Sequence, residues 1–179
     1  MSDIPTHDVS RKELAAGLAR GEEAAFAELY DACADRLHRY LAARLGSPEA
    51  AGDVLQNAFL RAVKSRRRFR GVENPVAYLF HVARNEATRY STKWQRKVRG
   101  LPADKTSSYA DSGFDDAEMV ATALGRLNPD DRELVELKVF ADFTFREIAE
   151  IVDRPQATVA TRYRRALESL REWLTRQVR

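Results

Sequence analysis

Apolar positions recur at three- and four-residue spacing along nearly the whole chain, which is the period of one face of an α-helix. No stretch alternates apolar and polar positions for long, as a half-buried strand would. Several helix starts carry a capping side chain directly before a proline at the first helical position. These starts are Ser47-Pro48, Asn74-Pro75 and Asn128-Pro129. Thr144 and Glu147 have the spacing of a capping box, which marks a further start.

The pattern therefore predicts an all-α fold. The predicted helices cover residues 10–20, 22–45, 48–68, 75–97, 115–126, 129–140, 144–152 and 155–177. Residues 98–114 break the period with Gly, Pro, Ser and Asp, a composition typical of a flexible linker. We therefore expect two small helical domains, residues 10–97 and residues 115–179, joined by the linker 98–114.

Charge is distributed unevenly along the chain, although 30 Lys and Arg nearly balance 27 Asp and Glu. Residues 61–99 carry twelve basic side chains against two acidic ones, and residues 100–150 carry five against twelve. Residues 151–179 return to seven basic side chains against three acidic ones. Two basic blocks separated by an acidic one indicate two surfaces for a polyanion. The alternative is that the Arg-rich helices are simply solvated.

The remaining composition argues against several classes of protein. Cys33 is the lone cysteine, which excludes an internal disulfide and suits a reducing cytosol. No apolar stretch approaches the roughly 20 residues of a membrane span, and the N-terminus lacks the apolar core of a signal peptide. We therefore expect a cytoplasmic protein without a membrane span.

No constellation of catalytic or metal-binding residues stands out. His7, His38 and His81 are scattered, and Cys33 has no further ligands at metal spacing. There is no Gly-rich phosphate loop, and no nucleophile with a base nearby. Asp130 and its neighbour suit the start of a helix better than a catalytic pair. The sequence predicts no enzymatic activity, no metal and no cofactor.

Residues 145–164 have the pattern of a DNA-reading helix-turn-helix. Ala149 is small enough for a steep helix crossing, Asp153 tolerates the turn, and Pro155 can open the second helix. Apolar contact between the two helices would come from Ile148, Val152, Val159 and Tyr163. A supporting helix, 129–140, would pack through Leu134, Leu137, Val139 and Phe140. An ordinary helical hairpin is the alternative.

The second helix of this motif presents short polar and cationic side chains near its N-terminal end. Such side chains pair with base edges and phosphates when a recognition helix enters the major groove. The predicted DNA-reading residues are Gln156, Ala157, Thr158, Thr161, Arg162, Arg164 and Arg165.

Helix 75–97 combines an apolar stripe with a basic face. Phe80 and Tyr90 lie on the stripe and are core candidates, whereas Trp94 is more open. Aromatic rings beside cations can stack on unpaired bases while the cations hold the backbone. A basic loop, Arg66-Arg67-Arg68-Phe69-Arg70-Gly71, lies just upstream.

The two halves together resemble extracytoplasmic-function RNA polymerase sigma factors. DVLQNAFLRAVKSRRRFRG followed by NPVAYLFHVARNEATR resembles region two of that family. LGRLNPDDRELVELKVFADFTFREIAEIVDRPQATVATRYRRALESLRE resembles region four. The resemblance implies a factor that binds core polymerase through the β′ clamp and the β flap, and directs it to promoter DNA.

The resemblance also implies roles for particular residues. Helix 48–68 should dock on the clamp, and helix 75–97 with the loop before it should bind and open the minus-10 element. The implied polymerase-binding residues are Asp53, Gln56, Asn57 and Leu60. The implied minus-10 residues are Arg68, Phe69, Arg70, Asn74, Tyr78, Arg84, Asn85, Arg89, Lys93 and Trp94. The C-terminal recognition helix should read the minus-35 element through the residues given above.

One departure from the family pattern concerns the clamp-binding helix. The family usually has Asp-Ala-Glu-Asp followed by Gln-Glu, whereas this chain has Ala50, Ala51, Gly52 and Asp53, then Gln56 and Asn57. Three expected carboxylates are absent, which predicts weaker polymerase binding. A phosphate would restore roughly two negative charges. Ser47 and Ser65 are the candidate sites by position, which implies a Ser/Thr kinase as a partner.

An anti-sigma factor is a further partner that the resemblance implies. The main alternative function is a repressor or activator that uses its helix-turn-helix without polymerase. Such regulators usually bind palindromes as dimers. That reading leaves the region-two pattern of residues 53–89 without a role.

Overall fold

The computed structural model describes residues 6–98 and 116–177, and all regular structure in these residues is helical. The predicted all-α fold is confirmed. The helices are α1 Thr6–Arg20, α2 Glu23–Leu45, α3 Pro48–Lys64, α4 Pro75–Val98, α5 Asp116–Gly125, α6 Pro129–Val139, α7 Phe145–Val152 and α8 Gln156–Gln177. The predicted linker lies, apart from Val98, outside the described residues.

Local signals determine where the N-terminal helices, α1–α4, begin and end. Gly46 ends α2 in the left-handed conformation, with φ of 68°, and its N–H donates to the carbonyl of Ala42. Ser47 then caps α3 by accepting a hydrogen bond from the N–H of Ala50. The third helix was predicted to reach residue 68, which is wrong. It ends at Lys64, and Arg66–Phe69 form a 3₁₀ turn that places Phe69 in the core.

The C-terminal helices, α5–α8, share a small core of Leu124, Val135 and Ala166. Asn128 caps α6 through the N–H of Asp131, as its position before Pro129 predicts. Val139 was expected to support this core, but its side chain is 58% exposed. The inner face of α6 instead buries two carboxylates, Glu133 and Glu136, among its leucines.

The N-terminal and C-terminal helices pack against each other and share one cluster of buried side chains. Phe143, in the segment between α6 and α7, packs edge-on against Phe80 of α4 with ring centroids 4.6 Å apart. The guanidinium of Arg36 on α2 lies 4.7 Å from the centroid of the same Phe143 ring. Aromatic and cation–π contacts of this kind favour a defined interface over a loose one.

Cys33 lies inside the N-terminal helices and is 1% exposed. Its thiol donates to the carbonyl of Leu29, 2.9 Å away, within α2. Burial raises the pKa of this thiol to about 12, so the reactive thiolate is scarce at neutral pH.

Candidate nucleic-acid interface

The helix-turn-helix predicted from residues 145–164 is present. The capping box starts α7, because Thr144 accepts from the N–H of Glu147 and the Glu147 carboxylate accepts from the N–H of Thr144. Asp153 makes the turn in the left-handed conformation, with φ of 53°. Ile148 and Ile151 on α7 and Val159 on α8 are buried in the main core. This packing fixes α8 as a helix with one face directed outward.

Most of the predicted DNA-reading residues lie on that outward face. Those exposed to solvent are Gln156, Ala157, Thr158, Thr161, Arg164 and Arg165. Their short polar and cationic side chains crowd the N-terminal half of α8, the part of a recognition helix that enters the groove.

Arg162 differs from these neighbours because it is partly buried against α6. Its Nε donates to Asp131 Oδ1 at 2.6 Å, and its Nη1 lies 3.4 Å from Asp130 Oδ2. The hydrogen bond to Asp131 raises the pKa of Arg162. Arg162 therefore ties the recognition helix to the start of α6. Sequence reasoning placed it outside because its helical phase adjoins that of Thr158 and Arg165.

The basic loop before α4 is held in place by an aromatic side chain. Arg68 and Arg70 are exposed, while Phe69 between them is fully buried. The Phe69 ring centroid lies 5.0 Å from that of Tyr78 and 6.3 Å from that of Phe26. In this conformation Phe69 supports the loop and presents its arginines to solvent. Tyr78 is half-buried against it.

The far half of α4 presents an open basic and aromatic surface. Trp94 is 55% exposed, and Asn85, Arg89 and Lys93 are exposed as well. Arg89 also pairs with Glu86, one turn earlier, at 2.8 Å. Such a surface has the elements that single-stranded nucleic acid requires, a stacking ring beside cations.

Two further residues predicted for the minus-10 element are covered by the C-terminal helices. Asn74 caps α4 by accepting from the N–H of Ala77, and its Nδ2 donates to Glu147 Oε1 at 3.1 Å. Arg84 Nε donates to Glu133 Oε1 at 2.8 Å. Glu133 was not singled out from the sequence, and Glu147 was singled out only for its capping box with Thr144. The only signal for Glu133 is an acid placed among Leu134, Val135 and Leu137.

Helix α3, which is expected to bind polymerase, has an exposed face that combines polar and apolar side chains. Asp53, Gln56 and Asn57 are exposed, and Leu60 is 51% exposed. Asp53, Gln56 and Leu60 border a groove between α2 and α3, of about 750 Å³. Tyr30 and Phe59 lie in its wall. The centroids of these two rings lie 5.1 Å apart. Sequence reasoning missed the groove because Tyr30 and Phe59 come from different helices.

The acid-poor start of α3 has a structural explanation. Ala50, one of the three positions where the family has a carboxylate, is buried, so a carboxylate there would be desolvated. Gly52 is different, because a Cβ built there meets nothing within 4 Å. Glu49 and Asp53 are exposed, one helical turn apart. The face therefore keeps two carboxylates and has room for two more, at Gly52 and at the exposed Asn57.

The two candidate phosphorylation sites lie at opposite ends of α3. Ser47 Oγ accepts from the N–H of Ala50 at 3.2 Å, at the N-terminus of the helix. Ser65 Oγ donates to the carbonyl of Arg61 at 2.7 Å, at the C-terminus. Both side chains are half-buried. The helix dipole favours added negative charge at the first position and disfavours it at the second.

Within residues 6–98 and 116–177, no group of three or more His, Cys, Asp or Glu side chains is arranged to hold a metal ion. Over the same residues, no helix combines the length and apolar character that crossing a membrane requires.

Comparison with known proteins identifies two family matches in this chain. Sigma-70 region 2 matches residues 29–97, and Sigma-70, region 4 matches residues 117–170. The chain is 30% identical to RNA polymerase sigma factor CarQ of Myxococcus xanthus over 160 residues, covering 86% of this chain and 91% of CarQ. It is 29% identical to ECF RNA polymerase sigma factor SigL of Mycobacterium tuberculosis over 163 residues, covering 87% and 92%.

A similar solved structure is that of the sigma factor RpoE in complex with the anti-sigma factor NepR from Bartonella quintana. The TM-score is 0.64 at 26% identity, covering 78% of this chain and 89% of RpoE.

Proposed function

Because the chain belongs to the extracytoplasmic-function family of RNA polymerase sigma factors, we propose that its surfaces divide the steps of promoter recognition among them. Sigma factors bind core RNA polymerase and promoter DNA, and the polymerase performs the chemistry. The observation that carries the assignment of surfaces is their combination in one chain. Helix α8 has the face of a recognition helix, and α4 has a basic and aromatic surface. Helix α3 has an exposed face of polar and apolar side chains.

The face of α8 reads the minus-35 element as duplex. Gln156 and Arg164 can pair with base edges in the major groove, while Thr158 and Thr161 reach phosphates or thymine methyl groups. Arg165 lies along the flank and suits a phosphate contact. Arg162 positions the helix through Asp131 in the present conformation.

The basic loop and α4 engage the minus-10 element as it opens. Strand separation exposes unpaired bases, and Trp94 offers an exposed ring on which a base can stack. Arg68, Arg70 and Lys93 supply cations for the backbone of the separated strand. Asn74 and Arg84 join this surface once Glu147 and Glu133 release them.

The face of α3 binds the β′ clamp of core polymerase. Leu60 and the rings that border the groove supply apolar area, and Asp53 supplies charge at its rim. The C-terminal helices bind the β flap, for which the exposed Val139 on α6 is a candidate contact.

Phosphorylation of Ser47 strengthens the clamp contact. A phosphate there would lie at the N-terminus of α3, beside the face that lacks carboxylates, where the helix dipole favours it. Phosphate on Ser65 would meet the helix C-terminus, so Ser47 is the better site. A Ser/Thr kinase is then a partner of this chain.

An anti-sigma factor is a further partner. The support for it is the likeness to RpoE, which was solved in complex with the anti-sigma factor NepR. The chemistry of this chain does not specify which protein that partner is.

The test is a pull-down with core polymerase followed by run-off transcription. We expect the wild-type chain to bind core and support initiation, and Leu60→Glu to lose core binding. Val120→Glu is the matched control, since Val120 is a comparably exposed apolar residue, at 45%, on α5. Failure to bind core in any phosphorylation state, together with dimeric binding to palindromic DNA, would instead establish a repressor or activator.

A further inference from the structure

Two arginines from neighbouring helices share one carboxylate oxygen on the surface of the N-terminal helices. Arg61 Nε on α3 lies 2.6 Å from Glu86 Oε1, and Arg89 Nη1 on α4 donates to the same oxygen at 2.8 Å. The Glu86 side chain is 13% exposed, whereas those of Arg61 and Arg89 are 50% and 59% exposed. The carboxylate is therefore covered, and the two guanidinium groups, the guanidinium pair, are held side by side in solvent.

The guanidinium pair carries more charge than Glu86 can neutralise. One arginine is enough to balance the carboxylate, and the second adds a like charge that repels the first. Exposed ion pairs contribute little to the stability of a fold, so the link between α3 and α4 does not account for the second cation. Excess positive charge held at a fixed position favours an anion from outside the chain.

The ion pair of the recognition helix has the opposite balance of charge. There the single guanidinium of Arg162 lies between Asp131 and Asp130, and each of its three nitrogens has an acceptor at the start of α6 and its cap. In the guanidinium pair only one nitrogen of each arginine has an acceptor among the described residues. Arg162 is thus committed to positioning a helix, whereas the guanidinium pair keeps donors for a ligand.

The unused donors of the pair suit a phosphodiester. A guanidinium is a planar fork of five N–H donors that can bind two phosphate oxygens at once. Binding usually requires a long arginine side chain to lose its rotamer freedom. Glu86 already restricts both side chains, so a phosphate would meet donors that are in place beforehand.

The place of the pair on α4 indicates which nucleic acid brings the phosphate. Arg89 lies five residues before Trp94, about 7.5 Å along the helix axis at 1.5 Å per residue. Lys93 is exposed between them. A few nucleotides of extended strand cover this distance, so a strand whose base stacks on Trp94 can bring a phosphate to the pair.

We infer that Arg61 and Arg89 form a binding site for one backbone phosphate of the separated promoter strand, and that Glu86 is the residue that positions them. This inference rests on the proposed function. It adds a residue of α3, the helix otherwise assigned to polymerase, to the surface that binds DNA. Arg61 directly follows Leu60, so the strand and the polymerase would bind to adjoining parts of α3.

Salt dependence measures the proposed site directly. Each phosphate that a protein neutralises on a single strand contributes about 0.7 to the slope of log affinity against log salt concentration. Anisotropy of a fluorescein-labelled strand of deoxythymidine with the full chain gives this slope without any base pairing. Arg61→Gln should reduce the slope by about 0.7 and weaken binding about fivefold at low salt.

Arg89→Gln tests the same site from α4, and it serves if Arg61→Gln does not fold by circular dichroism. The double variant should lose little more than either single variant, because both arginines bind one phosphate. Arg176→Gln is the matched control, since Arg176 is an exposed partner of Glu172 on α8 and its loss changes the net charge equally. The control should leave the slope unchanged.

Glu86→Gln distinguishes positioning from general attraction. The change makes the surface more positive, so attraction alone predicts tighter binding to the strand. Glu28→Gln, at an exposed carboxylate on α2, measures the effect of the same change in net charge. If Glu86 positions the guanidinium pair, Glu86→Gln should bind about threefold more weakly than Glu28→Gln.

Arginine variants whose slope and affinity match those of Arg176→Gln would overturn the phosphate site. Glu86→Gln that binds as tightly as Glu28→Gln would overturn the positioning role. A loss seen only with the strand annealed to its complement would overturn the assignment to a separated strand. Binding of the wild type to core polymerase is measured in parallel. If it fails, the proposed function fails, while the salt slope still decides whether the guanidinium pair binds phosphate.

Discussion

Arg162 and Asp131 form a 2.6 Å charged hydrogen bond that ties the recognition helix α8 to the first turn of α6. Asp130 and Asn128 lie within 3.4 Å of the same guanidinium. An arginine in a recognition helix is usually assigned to a base, but here three acceptors at the start of α6 and its cap already surround it. We therefore expect Arg162 to influence DNA binding by positioning α8, not by contacting a base.

Arg162→Ala should lower the free energy of unfolding by about 1 kcal/mol, because the half-buried Asp131 loses its charged partner. Arg164 lies on the exposed face. Arg164→Ala should therefore leave the free energy of unfolding unchanged and weaken binding to duplex DNA. Urea titrations and salt-dependent binding curves measure the two effects. If Arg162→Ala left stability unchanged and relaxed the preference for one base pair, Arg162 would be a base-reading residue.

Restoring acid to α3 should strengthen polymerase binding. Gly52→Glu together with Asn57→Glu adds two carboxylates to the exposed face, each with an expected contribution of about 1 kcal/mol. The Cβ at position 52 is free of contacts, so the change should not distort the helix. Titration of labelled core polymerase gives the affinity.

Gly52→Ala is the control for that experiment, since it removes the flexibility of glycine, worth about 0.5–1 kcal/mol in a helix, without adding charge. Equal core affinity of the acidic variant and the alanine control would show that this face does not meet a basic partner.

Ser47→Glu and Ser65→Glu should have opposite effects. Glutamate at Ser47 places negative charge at the N-terminus of α3, where the dipole favours it, and should raise core affinity. Glutamate at Ser65 places charge at the C-terminus and should lower the melting temperature without improving binding. Core-binding titrations and thermal unfolding distinguish the two. The absence of a gain at either position would contradict the phosphorylation hypothesis.

Trp94→Ala should weaken binding to single-stranded DNA by about 1–3 kcal/mol, the usual contribution of a stacked base. Trp173, whose ring lies 5.7 Å from the Arg126 guanidinium on the C-terminal helices, provides the comparison. Trp173→Ala should leave single-strand affinity unchanged. Quenching of tryptophan fluorescence by an unlabelled oligonucleotide should disappear in the first variant and persist in the second.

Lowering the pH should decrease the free energy of unfolding, in part because Glu147 becomes protonated. Although burial opposes the shift, hydrogen bonds from Thr144 lower the pKa of this carboxyl below its usual 4.5. Such a group stabilises the protein above its unfolded pKa, and the contribution is lost as pH falls through the folded value. The free energy of unfolding of the wild type should therefore decrease below about pH 4.5.

Glu147→Gln should show less of that decrease in urea titrations at neutral and acidic pH. The comparison must be made between variants, because burial raises the pKa of Glu136 and gives the opposite pH dependence. An identical pH dependence in the wild type and Glu147→Gln would exclude the contribution of Glu147.

Local chemistry explains what the sequence could predict. Ser47, Asn128 and Thr144 each cap a helix through a backbone N–H three residues ahead, so helix starts depend on adjacent residues alone. The turn at Asp153 is equally local. The exposed faces of α3 and α8 followed from helical phase and from the family resemblance.

The interface between the two sets of helices could not be predicted in this way. Tyr40 and Glu133 are 93 residues apart, and each side chain fits an ordinary amphipathic helix when its own segment is considered alone. The same applies to Asn74, whose local role as a cap gives no indication of its contact with Glu147. Partners this distant are specified by packing in three dimensions, which periodicity does not encode.

The buried thiol of Cys33 has a practical consequence. With a pKa of about 12 and 1% exposure, it should resist maleimide reagents under native conditions. A cysteine introduced on α3 and another on α8 would then accept dyes while Cys33 remains in place. Energy transfer between the two dyes would report the distance between α3 and α8 in the free chain and on polymerase, without any change to the native core.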